Sequence, residues 1–218
     1  MSQINTNTYS LNAQRNLAKN SLGLSSAIER LSSGLRVNSA KDDASGLAAG
    51  MQKEASARVT AVEIRQAQDA ISAAQIGDGA LSVVGDIVTR IIELNKMGGG
   101  DAEIAQLVTE AGTIQADAIA KGGSFTSVAI SSTSDAATLT SVSDSRASAG
   151  ATMNNQEYKI QALRVSYENQ QAARSRIMDA DFAEETSRLS RFQVLQQAGT
   201  AMIAQANAIP QNVLSLLR

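Results

Sequence analysis

The sequence predicts a mainly α fold, an elongated antiparallel helical bundle or coiled coil with one small β-hairpin. Three observations predict it. Apolar residues recur at three- and four-residue steps through both ends of the chain and most of its middle. Aromatic residues make up only 3% of the 218, too few rings to fill a compact interior, so contacts must be built from Ala, Leu, Ile and Val. Pro210 is the single proline, and the abundance of Ala, Gln, Leu, Glu, Arg and Lys favours helix nearly throughout.

The elements follow in order. Residues 1–35 carry Leu17, Leu24, Ile28, Leu31 and Leu35 on one helical stripe, and Ser33-Gly34 breaks that helix. In the polar segment beyond, Ser39 and Asp42 have the spacing of a capping pair, and Asp42 and Asp43 suit the positive end of a helix dipole. Residues 43–97 form a long helix, roughly 80 Å at ~1.5 Å per residue, marked by Leu47, Met51, Val59, Val62, Ile71, Ala74, Leu81, Val84, Val88, Ile91 and Leu94. Gly98-Gly99-Gly100 turns the chain into a returning helix over 101–120, with Ile104, Leu107, Val108, Ile114 and Ile119 on its apolar side.

Residues 121–144 are rich in Ser and Thr, and the β-leaning runs 124–130 and 137–142 predict a hairpin turning at Ser132 to Asp135. Helical spacing resumes over 146–173 through Met153, Ile160, Leu163 and Tyr167. The last helix, 175–218, carries Phe182, Leu189, Phe192, Leu195, Gly199, Met202, Ala206, Ile209, Val213 and Leu216 along one stripe. Pro210 removes a backbone donor there and predicts a kink near Ile209.

The two ends therefore pair as a terminal coiled coil, residues 1–36 with 179–218, and residues 37–178 form a helical rod with the hairpin at about 121–144. Isolated helices are marginal in water. Apolar stripes reaching both extremities need partners from within the chain or from other copies. The expected self-assembly residues are Leu17, Leu24, Ile28, Leu31, Leu189, Phe192, Leu195, Met202, Ile209, Val213 and Leu216.

Composition excludes several function classes. A net charge of −2 without runs of Lys or Arg lacks the basic footprint of a nucleic-acid binder. No stretch of ~18 apolar residues predicts a membrane span, and the first residues lack the basic and apolar regions of a cleavable signal. With no cysteine and no histidine there are no disulfides, no His-containing triads and no His or Cys zinc sites. Asp179, Asp181, Glu184 and Glu185 have an arrangement that can meet a hard cation, but Asp181 with Glu184 has capping-box spacing, and helix start is the better reading. Asp42 and Asp43 read the same way rather than as an acid and base pair. No catalytic residue, metal or cofactor is expected.

The residues at both ends resemble bacterial flagellin. Near the start the likeness rests on Asn5-Thr6-Asn7, Leu11-Asn12, Gln14, Asn16-Leu17 and the run Arg30-Leu31-Ser32-Ser33-Gly34-Leu35-Arg36-Val37-Asn38-Ser39-Ala40-Lys41-Asp42-Asp43. Near the finish it rests on Ser175-Arg176-Ile177, Asp179-Ala180-Asp181, Leu195-Gln196-Gln197-Ala198-Gly199-Thr200, Gln205-Ala206-Asn207 and Pro210-Gln211-Asn212-Val213-Leu214-Ser215-Leu216-Leu217. It is weaker over 97–142, where many flagellins insert outer domains, so the chain resembles a minimal form. The resemblance implies a homopolymer of many copies, the filament a bacterium turns to swim, outside the cell and exported without a cleavable signal peptide.

The implied partners are an export chaperone, the type III export apparatus, the filament cap and the hook-associated proteins. The resemblance also implies contact with a host Toll-like receptor through Arg90, Glu93 and Leu94, although Ile92 and Met97 depart from the family's usual residues. The Ser and Thr tract over 124–145 is a place for O-linked glycans in some flagellins, against the default of a plain solvated segment. Two alternatives stand beside the filament subunit: a hook-filament junction protein with similar ends, and a cytoplasmic coiled-coil adaptor.

Overall fold

A computed structural model describes residues 6–216 of the chain, with side chains described through residue 208. It contains five helices: α1 (Thr8–Ser33), α2 (Ala44–Met97), α3 (Asp101–Ala120), α4 (Ala136–Met178) and α5 (Phe182–Leu216). Two compact units divide the chain. One is Met1–Glu54 with Gln171–Arg218, and the other is Ala55–Gln170.

In the terminal unit α1 begins at Asn7, whose side-chain oxygen accepts from the Ser10 N–H at 3.1 Å. It ends at Gly34, which has a φ of 71° and donates its N–H to the Arg30 carbonyl at 2.8 Å. Only glycine takes that left-handed cap without cost. The two aspartates after it divide their labour. Asp42 closes the turn, accepting from the Ser39 hydroxyl at 2.9 Å and the Ser39 N–H at 3.0 Å. Asp43 caps α2, accepting from the Gly46 N–H and the Ser45 hydroxyl, each at 2.9 Å. Those Ser39 bonds hold the Asp42 carboxyl below the usual carboxylate range, and the Gly46 N–H followed by the Ser45 hydroxyl does the same for Asp43.

The second unit is built on α2. Thr60, Ala67, Ala74, Leu81 and Val88 are all buried and lie seven residues apart, the period of a coiled-coil seam. Around its later part Leu81, Val84, Val88, Ala111 of α3 and Val142 of α4 form one cluster, and Ile91, Leu94 and Ile104 form another. Leu81, Val84, Val88 and Ile91 are fully buried. Among the described residues α2 is the one helix long and apolar enough to cross a membrane by length and composition, and 33% of its most apolar window is buried inside the molecule. Earlier in α2 the small residues Ala57, Thr60 and Ala67 face inward, while Met51, Val59 and Val62, expected on the apolar side, are 62%, 57% and 46% exposed.

The expected β-hairpin does not form: among the described residues there is no sheet, only an isolated antiparallel bridge between Leu35 and Asp179. The second run of the supposed hairpin is helix. Asp135 accepts from the Ala137 and Thr138 N–H groups at 3.0 and 3.2 Å and starts α4 ten residues earlier than helical spacing suggested. The Thr140 and Ser141 hydroxyls donate to the carbonyls four residues back, which satisfies them inside a helix.

The first run stays irregular and lies against α2 and α3. Its Val128 is gripped by the buried Gln115, which accepts from the Val128 N–H at 2.9 Å and donates to its carbonyl at 3.1 Å. A side-chain amide thus supplies the pairing that a second strand would have given. Phe125, Val128 and Ile130 then pack onto the core clusters.

Phe125 also lies over Gly77, where an added β-carbon would fall 2.8 Å from Phe125 Cδ1 and 3.0 Å from the Ser124 carbonyl oxygen. Gly79, two residues on, faces open space. In chemical denaturation, Gly77→Ala is expected to destabilise the chain by about 1–3 kcal/mol through overpacking. Gly79→Ala is expected to stabilise it by about 0.5–1 kcal/mol through helix propensity. A second expectation concerns acid. Because the native Asp43 pKa is lowered, its contribution is present above the ordinary value of 3.8 and lost as pH falls through the lowered one. Melting curves of Asp43→Ala should therefore lie below wild type at neutral pH and converge with it in acid.

Candidate functional site

The terminal unit is where the expected self-assembly residues meet. Asn7 donates its side-chain amide to the Ala206 carbonyl at 2.8 Å, Leu17 lies over Gly199, and Gly23 lies under the Phe192 ring. Numbers rise along α1 as they fall along α5, so the two helices run antiparallel. The close approaches explain the glycines. A β-carbon at Gly199 would sit 3.1 Å from Leu17 Cδ1, and one at Gly23 would sit 2.6 Å from Phe192 Cζ.

At the other end of this pair the chain is stitched by backbone. The Met178 carbonyl accepts from Arg36 N–H at 2.7 Å and Val37 N–H at 3.3 Å, and the Gly34 carbonyl accepts from Ala180 N–H at 2.9 Å. The Arg36 guanidinium donates to the Ile177 carbonyl at 2.8 Å. Asp181 caps α5, accepting from the Ala183 and Glu184 N–H groups at 2.9 and 3.3 Å. Glu184 and Glu185 pair with Arg188, and no cluster of three or more potential metal ligands occurs among the described residues. These carboxylates start a helix.

The pairing consumes only part of the apolar stripe. Leu17, Leu24, Leu31, Leu189 and Phe192 are half-buried, whereas Ile28, Leu195 and Met202 are 51%, 40% and 64% exposed. Ile209, Val213 and Leu216 belong to α5, but their side chains lie outside the described residues. An open groove of about 420 Å³ follows the seam, lined by Leu17, Leu195, Gly199, Met202 and Ala206 among others.

Further apolar side chains escaped the stripe reading. Tyr9, Leu11, Leu22 and Val194 are 69%, 57%, 73% and 64% exposed. Leu11 and Leu22 are eleven residues apart, three turns of helix, and so share one face of α1. Their spacing is visible in the sequence, on a face beside the main apolar stripe.

The three residues implied as receptor contacts are split. Arg90 and Glu93 are exposed, but Leu94 is only 5% exposed, packed with Ile91 and Ile104. Arg90 is already engaged, with Glu103 at 3.1 Å and Glu93 at 3.4 Å, and the Glu103 bond and charge push its pKa further up.

A helix pair closed along one seam and apolar beyond it defines a self-associating structural subunit. Residues 4–103 match the model of the bacterial flagellin N-terminal helical region, and residues 133–217 match that of the C-terminal helical region. The flagellin of Halalkalibacterium halodurans is 34% identical over 270 aligned positions that cover 99% of each chain. The flagellar filament 33 kDa core protein of Treponema phagedenis is 31% identical over 285 positions, again covering 99% of each. A flagellin of Salmonella typhimurium is 38% identical over 171 positions, covering 71% of this chain and 34% of its own. The chain belongs to the flagellin family, as a short member of it, and is a structural subunit of the extracellular flagellar filament rather than an enzyme.

The glycine contacts yield a test of the seam. Gly23→Ala should lower the melting temperature of assembled polymer, because the new methyl meets the Phe192 ring. Phe192→Leu introduced beside it should recover most of the loss, and a double-mutant cycle reads the coupling.

Proposed function

We propose that the terminal helix pair, residues 1–36 with 179–218, is the inner polymerising part of the subunit, and that residues 37–178 form a helical rod. The observation that supports this reading most is the amount of apolar surface left on the pair after its own seam closes: Leu11, Leu22, Ile28, Val194, Leu195 and Met202 are all exposed. Neighbouring copies would cover them. Leu17, Leu24, Leu31, Leu189 and Phe192 hold the two helices together, and Ile209, Val213 and Leu216 extend the same stripe to the end of α5. The contacts are heterologous, since an isologous pair would close and stop growth.

The finer partners follow from the same reading. An export chaperone, the type III export apparatus, the filament cap and hook-associated proteins would each meet the chain at a stage of its delivery. A host Toll-like receptor would meet Arg90 and Glu93, and would have to compete with Glu103 for the guanidinium.

Leu22→Glu and Val194→Glu test the polymerising surface. Each places a charge at an exposed position away from the intrachain seam, so the chain should keep its helical circular dichroism. Sedimentable filaments should fall at least about tenfold, since a buried unpaired charge costs several kcal/mol. Filaments at wild-type yield from both variants would overturn the assignment of this surface.

A further inference from the structure

We infer that Met202 is an oxidation site through which peroxide-class oxidants block assembly of the subunit. The inference rests on the reading of the terminal pair as the polymerising surface. The chain has no cysteine, tryptophan or histidine, so its six methionines are the side chains open to two-electron oxidation by peroxide. Their surroundings differ. Met178 is buried and Met153 half-buried, while Met51, Met97 and Met202 are 62%, 69% and 64% exposed. Met97 ends α2 beside the glycine turn, and Met51 lies on α2. Met202 alone of the described methionines lines the groove along the α1–α5 seam.

The chemistry is balanced without any group from the protein. The thioether sulfur attacks one peroxide oxygen, the O–O bond breaks as the S–O bond forms, and the leaving hydroxide takes the remaining proton to give water. Sulfur loses two electrons and peroxide gains them. The product is a chiral, polar sulfoxide where a flexible apolar chain stood. Within a turn on α5, Ala198, Gly199 and Ala206 offer no side-chain donor to the new oxygen and Leu195 lies two turns back, so the groove's donors are Gln205 on α5 and Tyr9, Asn12, Asn16 and Asn20 on α1. A free subunit exposes the sulfur to solvent. A neighbouring copy seated on the groove would enclose the S–O group in a lining more apolar than polar, which costs free energy unless one of those donors meets it.

The test uses full-length protein treated with hydrogen peroxide as monomer, with oxidation at each methionine read by peptide mass and growth read by sedimentation on filament seeds. The expected result is that polymer yield falls at least about tenfold once Met202 is oxidised, and that Met202→Leu, a volume-conserving change, keeps after treatment the yield it has before treatment. A Met51→Leu, Met97→Leu, Met153→Leu variant, which retains Met202, should remain sensitive. Methionine sulfoxide reductases MsrA and MsrB should restore growth of the treated wild type.

Two results would overturn the inference: subunits shown by mass to carry Met202 sulfoxide joining filaments at the untreated yield, or Met202→Leu losing growth on oxidation as fully as wild type. The underlying reading fails separately, through wild-type growth of Leu22→Glu and Val194→Glu. Growth blocked in those variants but not by the sulfoxide would remove the oxidation site alone.

Discussion

Two helices packed side by side can hide only one face of each, and much of what this protein does follows from that limit. α1 and α5 close a seam on Leu17, Gly23, Phe192 and Gly199, but both carry apolar residues well beyond it. Burying one Leu-sized side chain is worth ~1.5–3 kcal/mol, and association in solution costs ~4–15 kcal/mol in lost freedom. One exposed leucine therefore cannot hold two subunits together. On the proposed reading, a set of six from Leu11 to Met202, covered together by neighbouring copies, reaches the required range.

The second unit has a closed core, with Val59, Val62, Val83 and Ile119 left exposed outside it. Its α2 is surrounded by α3, α4 and the segment over 124–130, so Leu81, Val84, Val88 and Ile91 have no accessible surface to offer a partner. Polar atoms inside it are paired, as the Gln115 grip on Val128 illustrates. Saturated cores make stable domains and poor interfaces. The low aromatic content serves both units because thin helix seams need side chains that glycine and alanine can receive.

The helices were legible because their punctuation is local. The Gly34 cap, the Asp43 and Asp181 starts and the limits of α3 depend on residues within a turn of the boundary, and all can be read from neighbours in sequence. The error over 121–144 has the same origin. β-Propensity of Thr, Val and Ile is a weak local preference, and it lost to an aspartate cap at Asp135 and to hydroxyls that bond within the helix. Gln115 was invisible, since no pattern marks a lone polar residue in an apolar helix as the partner of a backbone thirteen residues away. Apolar spacing also could not say which of several faces would be covered: Val59 and Val62 fit a stripe yet are exposed, and Leu94 fits a receptor motif yet is buried.

The match to the family is uneven along the chain. The two family models stop at residue 103 and resume at 133, leaving unmatched most of α3 and the segment that Gln115 holds. The aligned relatives span 270 and 285 positions against 218 residues here, so their extra residues enter as insertions into this chain. An insertion is tolerated where few contacts depend on chain length, and loop closure costs only ~0.6 kcal/mol per doubling of length. The ends enjoy no such freedom. Asn7 both caps α1 and bonds the Ala206 carbonyl, and the Gly23 and Gly199 contacts fix the same register, so a one-residue slip would break the seam. The seam between α1 and α5 constrains the termini in a way that nothing imposes on the stretch between the two family models.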